Sequence, residues 1–291
     1  MNGGRWSVVW TRGAGCAELA SLLAAGEANP VEGDLKRACI TGRVDLLVAR
    51  KLSSFDLVGT VVPNGFKPGL VRSVVAAIGG GPHSALAAHV ASRLSETLGV
   101  EGALVSASPD PDHDGSVDAL LAAISALVPD LPSKLVRANS ARALVGTFAE
   151  GTLLVVGAPG GSWLQRQFFG PGRKLVVGSP AGAIVVRNAP RRVFQEMIEP
   201  EPFGTGLLVS DALRLLRHAA APVAVDGVLV GVVKRADLES ADPKATVGSV
   251  TRESVFVSPE DSIDAVHELE EFVSPVPVVD DEGRLLGVVE R

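Results

Sequence analysis

Between residues 71 and 188, short apolar segments alternate with stretches in which apolar residues recur at helical spacing. An apolar run bounded by glycines is typical of a buried strand, and apolar positions one helical turn apart indicate an amphipathic helix. The pattern predicts strands at 72–78, 103–107, 134–137, 152–156 and 183–186, with helices at 84–98, 116–128 and 139–149. Strands separated by helices predict an α/β fold with a parallel, doubly wound sheet.

The C-terminal region, residues 191–291, contains two copies of one pattern. Each copy has a capped amphipathic helix, a Pro-Val strand, an Asp/Gly turn and a Gly-Val-Val strand, and the copies run over 208–233 and 257–289. One copy is too small to bury its own apolar face. We therefore expect the two to pack together as a smaller α+β domain.

Residues 1–70 echo the segment that follows them. An apolar strand at 7–9 is followed by a glycine turn and a short Ala/Leu helix, as is the strand at 73–75. Two interpretations are open, because segments of any α/β protein look alike. This N-terminal α/β segment is either a shortened copy of the next domain or a segment that shares with it only the general appearance of α/β strands and helices.

The net charge of −6 is unevenly distributed along the chain. Residues 190–291 carry −9, whereas residues 1–189 carry +3. The shift falls at the turn-forming sequence Asn188-Ala189-Pro190 and predicts a domain boundary there. The predicted organisation is an N-terminal segment at 1–70, an α/β domain at 71–189 and the repeat domain at 190–291.

Composition excludes several classes of protein. Two cysteines, Cys16 and Cys39, cannot form a disulfide framework and lack metal-type spacing. No apolar run approaches the roughly 18 residues of a membrane helix, and the N-terminus lacks the apolar core of a signal peptide, so we expect a cytoplasmic location. The negative charge, the absence of tyrosine and an aromatic content of 4% argue against nucleic acid as a partner.

A glycine pattern follows the strand at 152–156. Gly157 and Gly160 are followed, after nine residues, by Gly170. Glycines at the carboxyl end of a parallel strand let backbone N–H groups approach phosphate oxygens. Three cations lie in or beside this loop and would add charge-assisted contacts, namely Arg166, Arg173 and Lys174. The alternative is that the glycines only make tight turns.

This glycine pattern and the flanking strands resemble the universal stress protein family over residues 71–188, including Ser84 at a helix start. The resemblance implies ATP binding through Gly157, Gly160 and Gly170. It also implies a nucleotide contact at the end of the first strand, where this chain has Gly79 in place of the family's Asp. Pro171 stands where the family has Ser or Thr, and it offers neither a hydroxyl nor an N–H.

The C-terminal repeat resembles a pair of CBS motifs, a module that commonly binds adenine nucleotides. In that family the Gly-Val-Val strand precedes a hydroxyl residue and, three residues later, an Asp that bonds ribose. The first copy has Lys234 and Asp237 at these positions. The resemblance implies that Asp237 binds ribose and Lys234 meets phosphate. The alternative is that Asp237 caps a helix beginning near Leu238. The second copy stops at Arg291, before its Asp.

An acidic segment at 110–115 matches the first half of a calcium loop. Leu121, however, occupies the position of the bidentate Glu that such loops require. We therefore predict an acidic turn leading into a helix, and no metal site. His83 lies beside the glycine turn at 79–81, where it is either a ligand contact or a solvated loop residue.

These patterns favour a non-enzymatic regulator that senses adenine nucleotides, AMP or ATP, through the repeat domain, the α/β domain or both. Two alternatives remain open: a weak ATP hydrolase that uses the 157–172 loop, and a ligand-free dimerisation scaffold. We expect a homodimer, because both resembled families tend to self-associate.

Overall fold

The computed structural model describes residues 5–52, 55–158, 181–269 and 274–290. The chain divides into two compact units, unit 1 at Met1–Ala189 and unit 2 at Pro190–Arg291. The division falls beside the turn-forming residues 188–190. Each unit is described by itself.

Unit 1 is built on one nine-stranded sheet in the order β2-β1-β3-β4-β9-β8-β5-β6-β7. The strands are β1 (Val8–Trp10), β2 (Asn29–Pro30), β3 (Leu46–Val48), β4 (Gly59–Asn64), β5 (Ser73–Ala77), β6 (Glu101–Ser108), β7 (Ser133–Arg137), β8 (Thr152–Gly157) and β9 (Ala183–Arg187). Its helices are α1 (Cys16–Ala24), α2 (Leu35–Thr41), α3 (Pro82–Leu98), α4 (Asp114–Ser125) and α5 (Ala141–Val145). The α/β fold class expected from the sequence is confirmed.

Alternation along the strands gives the sheet two apolar faces. On β5, Val74 and Ala76 join the core that includes helices α1, α3 and α4, whereas Val75 and Ala77 join the core that includes Leu144 of α5. A strand covered on both faces has no polar face, which is why it appears in the sequence as a continuous apolar run.

The five strands of residues 71–189 pair in parallel, as expected, and the antiparallel pairing of β4 with β9 attaches the N-terminal segment to them. Five residue pairs join the strands, from Thr60 opposite Arg187 to Asn64 opposite Ala183. The first 64 residues therefore continue the sheet of residues 71–189. Counted outward from this junction, the strands on one side follow the order β4-β3-β1-β2 and those on the other side the order β9-β8-β5-β6-β7.

Unit 2 contains two antiparallel hairpins, β10 (Ala220–Val225) with β11 (Val228–Lys234) and β12 (Val276–Val279) with β13 (Leu285–Val289). Its helices are α6 (Val193–Glu196), α7 (Val209–Leu215), α8 (Arg235–Ser240) and α9 (Ile263–His267). The hairpin turns bond to one another, since the N–H of Leu229 donates to Gly283 O at 3.0 Å and that of Leu285 to Gly227 O at 2.8 Å. The smaller α+β domain is confirmed.

The two repeats of unit 2 exchange the segments that precede their helices. The first lead-in segment (198–203) pairs with β13 of the second repeat, through Ile198 and Val288. The second lead-in segment (252–257) pairs with β11 of the first repeat, through Arg252 and Val232. Each crossing lies beside the glycine of a Gly-Val-Val strand, where a Cβ would meet the backbone of the crossing segment.

A substitution at Gly182 tests the β4–β9 junction. Gly182 has φ +91°, and a Cβ there would overlap the backbone of Gly65 and lie 2.6 Å from Phe66 N. We expect Gly182→Ala to lower the free energy of unfolding of unit 1 by about 2–5 kcal/mol, because backbone strain and overpacking act together. Denaturation followed by tryptophan fluorescence reports on unit 1, since Trp6, Trp10 and Trp163 all belong to it.

The matched control is Gly69→Ala. Gly69 has ordinary φ and no atom within 4 Å of a Cβ, so its unfolding midpoint should move little. Equal effects of the two substitutions would contradict a close crossing at Gly182.

Candidate functional site

In unit 1, the loop after β5 is held by the hydroxyl of Ser84. Ser84 is buried in the first turn of α3, where its Oγ accepts from Gly79 N at 3.3 Å and donates to Gly80 O at 3.0 Å. Gly80 and Gly81 have positive φ, which glycine adopts without strain. The amide of Gly79, assigned from the sequence to nucleotide binding, is thus engaged by Ser84.

Gly157 ends β8 directly against α3. A Cβ at Gly157 would lie 2.9 Å from His83 Cβ, so glycine allows the helix start to approach the strand. This contact gives Gly157 a packing role whether or not it meets a phosphate. The other loop glycines, Gly160 and Gly170, lie outside the described residues, as do Arg166, Pro171, Arg173 and Lys174.

His83, at the start of α3, lies against the ends of two strands, β8 and β9. Its Nδ1 accepts the backbone N–H of Asn188, just after β9, at 3.1 Å. An accepting Nδ1 requires the neutral ring with its proton on Nε2. Burial lowers the pKa of His83 below its ordinary value of 6.5, and the positive charge of Arg187 lowers it further. His83 is therefore a structural link between the start of α3 and the end of β9.

The acidic turn at 110–115 forms a self-contained polar network. Arg137 donates to both carboxylate oxygens of Asp114, each at 2.8 Å, and holds the pKa of Asp114 at about 2. His113 Nδ1 lies 2.7 Å from Asp110 Oδ1, and this hydrogen bond raises the pKa of His113. The segment leads into α4 as predicted. Within the described ranges, no group of three or more His, Cys, Asp or Glu residues is placed to hold a metal ion.

In unit 2, Asp237 lies in the first turn of α8. The cap alternative placed the helix start near Leu238 and is wrong, because α8 begins at Arg235 with Lys234 as its N-cap residue. The Asp237 side chain is only 15% exposed. Its Oδ1 accepts from the guanidinium of Arg252 at 2.5 Å, whereas its buried Oδ2 has no hydrogen-bond partner among the described residues.

The exchange of lead-in segments brings Arg252 to Asp237. Val232 N donates to Arg252 O at 2.9 Å, and Arg252 N donates to Val232 O at 3.0 Å. This bridge carries the arginine side chain, which is 69% exposed, to the helix that follows β11. The sequence predicted Asp237 and Lys234 but missed Arg252, because Arg252 belongs to the other repeat and no local spacing connects it to Asp237.

A cavity of about 110 Å³ lies elsewhere in unit 2, between the first lead-in segment and the end of β13. Apolar residues including Ile198, Phe203 and Leu215 line it together with charged groups. His218 Nδ1 lies 3.3 Å from Glu290 Oε1, and Arg217 donates to Glu201 Oε1 at 3.1 Å. We call it the His218–Glu290 cavity. Sequence reasoning missed it, since its lining comes from segments far apart in the chain.

Residues 247–291 match the family model of the CBS domain. The predicted resemblance is thereby confirmed for this part of the chain, which contains the second repeat. No curated protein matches the chain.

Solved structures resemble parts of the chain. The CBS domains of a transcriptional regulator from Streptococcus pneumoniae are 30% identical, with 35% of this chain and 93% of that chain covered and a TM-score of 0.33. The cytosolic domain of the Mg²⁺ channel MgtE, in complex with ATP, is 30% identical, with 34% and 45% covered and a TM-score of 0.31. The matched part thus spans less than half of that channel domain.

A universal stress protein from Archaeoglobus fulgidus is 13% identical, with 40% of this chain and 96% of that chain covered and a TM-score of 0.33. In the part of the chain that the structure describes, no helix is both long and apolar enough to cross a membrane.

The pKa of His83 provides a test of the strand-end geometry. Arg187→Gln removes one of the two causes that lower this pKa, so the pKa should rise part of the way toward 6.5 while burial still depresses it. Histidine chemical shifts followed by NMR across pH 4–8, a window of about two units on either side of a typical histidine pKa, measure the change.

The sign for stability follows from the same shift. Between the folded pKa of His83 and about 6.5 the unfolded chain binds more protons, so the free energy of unfolding rises with pH and levels off above that window. Arg142→Gln, at an exposed position of α5, is the control and should leave the His83 titration unchanged. A His83 pKa at or above 6.5 in the wild type would contradict this geometry.

Proposed function

We propose that this protein is a non-enzymatic, nucleotide-responsive regulator, and that an adenine nucleotide, AMP or ATP, binds unit 2 at Asp237. The observation that carries the proposal is the buried carboxylate oxygen Oδ2 of Asp237, which has no partner among the described residues. A buried acceptor without a donor is costly, on the order of 1–3 kcal/mol or more for a charged group. A ligand hydroxyl would satisfy it.

The chemistry around Asp237 fits the two ends of a nucleotide. A carboxylate accepts hydrogen bonds from ribose hydroxyls, and Lys234, exposed at the helix start three residues earlier, offers a point charge to a phosphate. Asp237 is also the position at which the CBS resemblance implies a ribose contact. Residues 247–291, which match the CBS family, supply Arg252 to the same place.

The His218–Glu290 cavity is a second location in unit 2 to test for ligand binding. It has an apolar lining with a few charged groups, which is the usual make-up of a ligand pocket. Arg217 is its exposed cation and the group that would meet a phosphate there. The binding experiment therefore includes a variant of each location.

The test is calorimetric titration of the full-length protein with AMP and with ATP, each with and without magnesium. We expect saturable binding without turnover. Asp237→Asn should weaken binding about tenfold to a hundredfold, because a charge-assisted hydrogen bond contributes about 1.5–3 kcal/mol. Asp211→Asn is the matched control, since Asp211 also lies in the first turn of a unit 2 helix and pairs with an arginine.

Thermal melts of the same variants separate binding from folding. Weaker binding by Asp237→Asn with an unchanged melt supports the site. If Arg217→Gln loses binding and Asp237→Asn binds as tightly as the wild type, the ligand site is the His218–Glu290 cavity and not Asp237. Turnover of ATP would instead favour the hydrolase, and absence of binding would favour the ligand-free scaffold.

We further propose a homodimer, as expected from the resemblance. The β9 edge is already paired with β4 of the same chain, so self-association has to use another surface. Light scattering at tens of micromolar (about 10–100 µM, the range of weak transient association) should give a species of about twice 30.0 kDa. A species of 30.0 kDa throughout this range would contradict the dimer.

A further inference from the structure

Asp237 is bonded by Arg252, an arginine whose backbone is held in place and whose side chain is largely exposed. The Arg252 backbone is held to Val232 by two hydrogen bonds, whereas its side chain is 69% exposed and bonds Asp237 Oδ1 at 2.5 Å. The guanidinium can therefore leave the carboxylate by side-chain rotation alone, with the β11 crossing intact.

The hydrogen bond from Arg252 engages one of the two carboxylate oxygens that the proposed ligand would bond. Oδ2 is unpartnered, but Oδ1 already accepts from Arg252. A ligand that presents two neighbouring hydroxyls to the carboxylate competes with the guanidinium for Oδ1. The displaced cation loses a charge-assisted hydrogen bond, which is among the stronger polar contacts in proteins.

The outcome depends on what the ligand offers in return. A phosphate gives the released guanidinium a new anionic partner with matching fork geometry, and Lys234 adds a second positive charge near the start of α8. A nucleoside without phosphate offers neither. The net charge of the ligand therefore decides whether breaking the Arg252–Asp237 pair is compensated.

We propose that Arg252 is the specificity-determining residue of the Asp237 site, and that it selects phosphorylated nucleosides over nucleosides by exchanging Asp237 for a phosphate group. This inference rests on the proposed function. It goes beyond it by assigning the preference for phosphate to a residue from the opposite repeat.

The experiment compares adenosine with AMP on the full-length protein by calorimetry. The wild type should bind AMP more tightly than adenosine. In Arg252→Gln, adenosine should bind roughly tenfold more tightly than in the wild type, because the guanidinium no longer competes for Asp237 Oδ1. AMP should bind more weakly than in the wild type, so that the preference for AMP disappears.

Two further variants make the result specific. Arg284→Gln removes another exposed arginine of unit 2 that pairs with an acid, Glu282, and should change neither affinity. Arg252→Lys keeps the charge but not the fork, and should retain a reduced preference for AMP. Thermal melts establish that each variant is folded.

Each remaining outcome overturns the inference. If Arg252→Gln leaves the ratio of AMP affinity to adenosine affinity unchanged, or weakens the binding of both ligands equally, Arg252 is only a structural contact. The proposed function then still stands. Binding that responds to Arg217→Gln and not to Arg252→Gln would also leave a nucleotide sensor, at the His218–Glu290 cavity. If neither the wild type nor Arg252→Gln binds AMP or adenosine, the proposed function fails together with the inference.

Discussion

In unit 2, the backbone of Arg252 crosses β11 at Gly231 with no room for a side chain. The reciprocal crossing, at Gly287, would place a Cβ 2.9 Å from Ile198 O. These two contacts join the repeats, because each lead-in segment completes the hydrogen bonding of the other repeat's hairpin. A glycine in the middle of a strand weakens it, and close approach of another backbone is the usual reason to find one there. The glycines of the two Gly-Val-Val strands thus allow the repeats to pack against each other, and this packing places Arg252 beside Asp237.

Unit 1 depends in a similar way on the pairing of β4 with β9. This antiparallel contact extends a five-stranded, doubly wound arrangement into nine strands and covers an edge that would otherwise expose unpaired backbone groups. Among the described residues after β5, two polar side chains have hydrogen-bond partners. Ser84 closes the glycine loop and His83 accepts the amide of Asn188. In the acidic turn, Asp114 has Arg137 for both oxygens.

Asp237 contrasts with these satisfied groups. Its side chain is 15% exposed, yet one oxygen has no partner among the described residues and the other is bonded by an exposed arginine. An ion pair with one exposed partner adds little net stability, because solvent screens the attraction between the two charges. The pair matters for binding because its two members can exchange partners. The carboxylate can bond hydroxyls of a ligand while the guanidinium bonds a phosphate of the same ligand. Among the described residues, the Asp237 carboxylate is therefore the group that suits the proposed ligand.

The sequence by itself determined the α/β class of unit 1, its strands between 72 and 186 and the repeat of unit 2, because these follow from apolar periodicity and local turn chemistry. It also indicated Asp237 as a candidate site residue and the Gly-Val-Val segments as strands. Only the tertiary structure decided that β4 pairs with β9, that α8 starts at Arg235, and that Arg252 bonds Asp237. Pairing between distant segments leaves no periodic signal in either segment. The partner of a buried carboxylate is set by which backbone crosses which glycine, and that is a property of the folded chain alone.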